Sequence, residues 1–146
     1  MIRKAKPQDI KAIVELAVES VSIDALPVEI DREAMKSEAE ICLQPAHFLM
    51  VSEIDGVVVG AVAAQVAPSF WFRGLNCSVL LHYSRVPGEW VKLMRELSKW
   101  VKGRSRIKVA IIELEPVHQE NPKMIRFLKR LGFGRESMNL SYVRGA

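Results

Sequence analysis

Apolar and polar positions follow two different periods along this chain, and the switches between them mark its elements. Ile2-Arg-Lys-Ala5 suits a short first strand, ended by Pro7. Behind Asp9, the residues Ile10, Ile13, Val14, Ala17 and Val21 recur at the spacing of one helix face, and Pro27 breaks that pattern. Asp31 stands where a second helix would be capped, with its body running to about Leu43. Two β-branched runs follow, His47–Ile54 and Val57–Ala67, joined by Asp55-Gly56, the strongest local hairpin signal in the chain. Pro68–Gly74 reads as a loop carrying Phe70, Trp71 and Phe72, and Leu75–Tyr83 as another strand.

The second half changes period again. Pro87 opens a helix whose apolar face is Trp90, Leu93, Met94, Leu97 and Val101, ending near Gly103. Ile107–Leu114 is nearly all apolar, the composition of a strand buried on both faces. In Asn121–Phe133, Pro122 suits the first turn of a helix. Met124, Ile125, Leu128 and Leu131 lie opposite Lys123, Arg126, Lys129 and Arg130, and Gly132 stands where a helix stops in the left-handed conformation. A last strand is expected from about Glu136 to Val143. The residues alone thus predict one α+β domain, 1–146, with no repeat or linker.

The 146 residues suffice for one core, and 49% of them are apolar, which excludes a disordered segment. No apolar run approaches the ~20 residues of a membrane helix, and no signal-peptide pattern opens the chain. Cys42 and Cys77 are far apart and have no metal-ligand spacing, which suits a reducing compartment. A cytoplasmic protein without a membrane partner is therefore expected.

The Asn121–Phe133 stretch, with its Asn, amphipathic helix and Leu131-Gly132-Phe133, resembles the C-terminal signature of the GCN5-related N-acetyltransferase (GNAT) family. The element order from Ile2 to about Arg144 is similar to that family as well. The resemblance implies the acyl-CoA N-acyltransferase fold, a mixed and mostly antiparallel central sheet flanked by helices, with acetyl-CoA as cofactor. Arg85-Val86-Pro87-Gly88-Glu89-Trp90 occupies the place of the family's pyrophosphate loop, Q/R-x-x-G-x-G/A, where backbone N–H groups and a helix N-terminus meet the phosphates. Arg85 and Gly88 match. Trp90 replaces the final small residue, Pro87 removes a donor, and Glu89 brings a negative charge.

By the same resemblance, the edge at Leu80, Leu81 and His82 would bind the pantetheine arm, and an N–H there would polarise the thioester carbonyl. His82 and Glu113 are the candidate bases for the attacking amine, with Glu115 nearby. Asn121 matches a family residue that contacts cofactor, although it reads equally well as a helix cap. Leu128 stands where the family often has a Tyr that protonates the departing thiolate. A thiol pKa near ~8.5 lets that group leave unaided at some loss of rate.

The implied activity is transfer of acetyl to a primary amine by direct attack in a ternary complex. The rival reading is a catalytically degenerate member of the same fold that binds a ligand or partner, and Trp90 and Leu128 argue for it. From Arg85 to Lys108 eight basic residues face only Glu89 and Glu96, yet their helical spacing suits a solvated face better than a nucleic-acid site. Asp24, Glu29, Asp31, Glu33, Glu38 and Glu40 form an acidic stretch that would favour a cationic amine. Phe70, Trp71 and Phe72 could stack on a ring, seal a core edge or form a homodimer contact. Cys77 and His82, an odd number of residues apart on one strand, are expected on opposite faces.

Overall fold

A computed structural model describes residues 1–145. The order is β1 (Ile2–Lys4), a 3-10 turn, α1 (Ile10–Asp24), α2 (Arg32–Cys42), β2 (Phe48–Ile54), β3 (Val57–Pro68), β4 (Leu75–Ser84), α3 (Pro87–Lys102), β5 (Ile107–Ile111), α4 (Pro116–Gln119) and α5 (Pro122–Leu131). The strands lie in sequence order in one sheet, antiparallel from β1 to β4 and parallel between β4 and β5. Asp55 and Gly56 both take positive φ, as the tight hairpin between β2 and β3 requires.

Alternation along the strands divides the core in two. Leu49, Val51, Ala61, Ala63 and Leu81 face α1 and α2. Phe48, Val62, Ala64 and Cys77 face α3 and α5, whose Leu93, Met94, Leu97 and Leu128 are buried against them. Gly60 is required on this second face, because a Cβ there would lie 2.7 Å from the Ser84 Cβ. Glu89, in the first turn of α3, is buried on the same side. It accepts from Ser52 of β2 and pairs with Lys92 at 2.8 Å, so the carboxylate ties the helix N-terminus to the sheet.

Three sequence expectations need correction, and one short element was not expected. β5 stops at Ile111 instead of Leu114, and only one of its faces is covered: Ala110 packs on the α3–α5 core, whereas Val109 and Ile111 on the other face are exposed and do not join the α1–α2 core. Glu136–Val143 forms no strand. It has alternating exposed Met138, Leu140 and Tyr142 but no ladder partner, and is held by Lys129–Glu136 and Asn139–Glu113 contacts. The short α4 had no periodic signal. Finally, Cys77 and His82 share a face, because a bulge at Leu80 adds one residue between Val79, which pairs with Ala64, and Leu81, which pairs with Ala63.

Asp9 fastens the start of the chain. Its carboxylate accepts from the Lys6 N–H at 2.7 Å and from Arg3 at 2.7 and 3.0 Å. The Arg3 hydrogen bonds hold its pKa below the ordinary carboxylate value, against the opposing effect of burial. A depressed folded-state pKa contributes stability above the unfolded value of about 3.9 and loses it as pH falls through the folded value. Asp9→Asn should therefore be less stable than the parent at pH 7 and lose less on further acidification, as checked by urea unfolding across the acid range.

Candidate active site

The candidate site begins where β4 and β5 part. Leu75 pairs with Ile107 and Ser78 with Ile111, after which the ladder ends while β4 continues to Ser84. Leu80, the bulge residue, is skipped by the β3 register and lies beyond the last β5 pair, and it is half exposed. Leu81 points into the α1–α2 side of the core.

His82 spans the opening between the strands. Its Nε2 lies 3.1 Å from the Glu113 carbonyl oxygen, and its Nδ1 lies 3.2 Å from the Trp90 indole nitrogen. An indole N–H can only donate, so Nδ1 is the acceptor, and the ring proton on Nε2 donates to Glu113. Burial pushes the His82 pKa below its ordinary value; the Glu113 carbonyl opposes this and nearby His118 adds to it. Both ring nitrogens are occupied in the neutral form, which leaves no lone pair to take a proton from an amine. Trp90 continues the row toward α5, its ring 5.7 Å from Phe127. The Trp90 side chain thus turns away from the loop and into the second core.

The loop between β4 and α3 has most of its donors committed. The Arg85 N–H bonds Val59 O at 2.9 Å, the Val86 N–H bonds Ser84 Oγ at 3.0 Å, and Pro87 has none. The Glu89 N–H turns back to Val86 O at 3.0 Å. Gly88 keeps its N–H without a partner among the described residues, and a Cβ on it would meet nothing within 4 Å. The Arg85 guanidinium is bidentate on Glu19 of α1, with contacts of 2.7 and 2.9 Å. That pairing lowers the Glu19 pKa and, with burial as the larger cause, the Glu19 charge raises that of Tyr83 beside it.

No protein-family model and no curated protein sequence matches the chain. Solved structures do. A predicted acetyltransferase from Clostridium acetobutylicum, crystallised with acetyl-CoA, superposes at TM-score 0.73 with 16% identity over 97% of this chain and 94% of that one. The chain carries the GCN5-related N-acetyltransferase fold. Glucosamine-6-phosphate N-acetyltransferase from Arabidopsis thaliana superposes at 0.70, with 15% identity over 99% of this chain and 97% of that one. An aminoglycoside acetyltransferase from an uncultured soil metagenomic sample, in complex with sisomicin, gives 0.67, with 10% identity over 100% of this chain and 95% of that one.

Within this acetyltransferase fold the sequence-derived candidates are only partly brought together. His82, Trp90 and the Glu113 carbonyl meet at the parted strands, with exposed Leu80 on the same stretch of β4 and Val86 and Gly88 at the adjoining helix start. The Glu89 side chain points away, into the core. Asn121 caps α5 through the Met124 N–H at 3.2 Å. The Glu113 carboxylate is exposed and accepts from Asn139 at 3.1 Å. Leu128 is buried, 3% exposed, and offers no acid. Sequence reasoning missed Glu19, Tyr83 and Ser84. Glu19 lies 66 residues before Arg85 and is brought to it by α1, so no local spacing announces the pair. Two clefts, about 500 Å³ beside α1 and α2 and about 170 Å³ near β2, are lined by none of the parted-strand residues.

The His82 arrangement can be read by NMR. His82 should appear as the neutral Nε2–H tautomer and titrate below the range of an ordinary histidine, which lies near pH ~6.5. Trp90→Phe removes the indole donor but keeps a ring, and should raise the His82 pKa. An imidazole that titrates normally in the parent protein would contradict the assigned bridge.

Proposed function

We propose that this chain binds acetyl-CoA along the second half of β4 and transfers its acetyl group to a primary amine by direct attack in a ternary complex. The observation that carries the reading is the parting of β4 from β5 beside the α3 N-terminus, with Leu80 lacking a ladder partner on either side among the described residues. Gly88 adds to it. Neither positive φ nor a neighbouring atom demands glycine there, so close approach of a ligand to the backbone is a sufficient reason for it. The neighbour crystallised with acetyl-CoA supports the choice of cofactor.

Under this reading the Leu80 backbone polarises the thioester carbonyl, while Gly88 and Arg85 meet the phosphates. Bound acetyl-CoA supplies an activated acyl group with a thiolate leaving group. Arg85 must exchange Glu19 for phosphate, and the His82–Trp90 bridge must shift to admit the pantetheine arm. Glu113 and His82 are the candidates to take the amine proton, directly or through water: the Glu113 carboxylate is exposed, and His82 Nδ1 becomes an acceptor once Trp90 has moved.

The second reading, a degenerate fold that binds without catalysis, is favoured by that same bridge and by apolar Leu128. Calorimetric titration with acetyl-CoA and with CoA tests both. Binding with no acetyl transfer would favour the second reading, and no binding at millimolar cofactor would remove the first. Glu19→Gln should free Arg85 and tighten acetyl-CoA binding by roughly two- to fivefold, the range of an exposed ion pair.

For the acceptor, we infer an amine with net positive charge. Asp24, Glu29, Glu33 and Glu40 support this, whereas Asp31 is committed to capping α2 and Glu38 bonds Gln65. The aminoglycoside enzyme that shares the fold, crystallised with sisomicin, also has an amine-rich substrate. Glu29→Gln combined with Glu33→Gln should raise the KM for a polyamine or aminosugar at low salt and have less effect at high salt. A preference for neutral or acidic amines would overturn the inference.

A further inference from the structure

The turn between β3 and β4 ends in a tip that nothing in the fold explains. The Ser69 N–H bonds Gly74 O at 3.0 Å, which closes a four-residue loop, Phe70-Trp71-Phe72-Arg73. Phe70 is 88% exposed and Trp71 is 83% exposed. The tip is nonetheless built: Ser69 Oγ accepts from the Trp71 and Phe72 N–H groups at 3.0 and 3.3 Å, and the Phe70 and Trp71 rings pack edge to face at 4.8 Å.

Basic side chains surround its base. The Leu75 N–H bonds Arg106 O at 2.9 Å, and a Cβ on Gly74 would touch the Lys108 side chain, so the turn after α3 lies directly against the loop. That turn brings Arg106 and Lys108, and the loop brings Arg73, all of them exposed, while Arg104 is stacked on Trp100 at 4.4 Å. No Asp or Glu occurs from residue 56 to 88 or from 97 to 112.

We propose that this tip docks on an anionic lipid surface, with Phe70 and Trp71 entering the headgroup region and Arg73, Arg106 and Lys108 pairing with lipid phosphates. Exposed Trp and Phe inside a cationic collar match the two attractions such a surface offers, amphipathic ring burial and counter-charge. The other occupants fit less well. Two copies meeting tip to tip would bring like-charged collars together. Single-stranded nucleic acid needs ring faces laid open along a groove, whereas these rings sit edge to face on a convex turn. Docking of this kind needs no membrane-crossing helix, and among the described residues no helix is long and apolar enough to be one.

The test is flotation of the full chain with vesicles of phosphatidylcholine alone or mixed with phosphatidylglycerol. Binding is expected to the mixed vesicles only, to fall with added salt, and to shift the Trp71 emission to the blue; Trp71→Phe should remove that shift and keep binding. Phe70→Ser with Trp71→Ser should abolish flotation. Arg73→Gln and Arg106→Gln should each weaken it roughly fivefold. Far-ultraviolet circular dichroism and urea unfolding of each variant serve as the folding control, independent of whether acetyl-CoA binds. Three outcomes would overturn the proposal: no binding to mixed vesicles, equal binding to neutral ones, or a tip that instead mediates self-association or oligonucleotide binding, with the same variants abolishing it.

Discussion

Strand β4 is hydrogen-bonded to β3 along nearly its whole length but to β5 only as far as Ser78, and the open edge that results shapes the candidate site. Backbone donors and acceptors inside a fold require partners. Here one partner is a side chain. His82 reaches across the parting to the Glu113 carbonyl, and Trp90 holds the ring from behind. The same two residues therefore stabilise the parted strands and occupy the space between them. Any ligand that enters must replace those hydrogen bonds with its own, so affinity depends on a difference between two sets of polar contacts.

The loop beyond β4 repeats this logic with charges. Arg85 is held by Glu19 from α1, an exposed pair whose intrinsic strength is small and which an anionic ligand could displace. Glu89 does the reverse. It is buried against Ser52, bonded to Lys92, and held at a helix N-terminus where a negative charge is favoured. Its negative charge is thus directed into the fold, away from the open side of Gly88. Among the motif positions it has the most structural role, and the motif alone could not show this.

Periodicity made most elements legible, because helix faces and hairpin chemistry are local. Asp55-Gly56 takes the positive φ its turn needs, and Gly132 ends α5 in the left-handed region while the Phe133 N–H returns to Leu128 O at 3.0 Å. Errors arose where one residue or one neighbour decides. The Leu80 bulge reverses the face of every residue after it, so spacing placed Cys77 and His82 wrongly. The expectation that Ile107–Leu114 is buried on both faces assumed a packed layer over each, but only the α3–α5 side covers β5. The site was legible as a place but not as a set of contacts: Glu19 meets Arg85 through tertiary packing, and the turn of Trp90 toward His82 has no sequence signature.

The edge at β5 shows why an alternating pattern does not by itself make a strand. Met138, Leu140 and Tyr142 alternate as strand residues do, yet a strand exists only when its backbone finds a ladder. Side-chain contacts hold this segment instead: Lys129 pairs with Glu136 at 3.0 Å and Asn139 donates to Glu113 at 3.1 Å. Glu113 is thereby engaged twice, its carbonyl by His82 and its carboxylate by Asn139. A shift in the segment after α5 would act on the same residue that anchors the His82 bridge. The exposed edge itself carries Lys108 with Arg106 just before it, charges that discourage edge-to-edge pairing with another chain. The open side of β5 is thus kept from indiscriminate pairing by charge, while its far end is coupled through Glu113 to the parted strands.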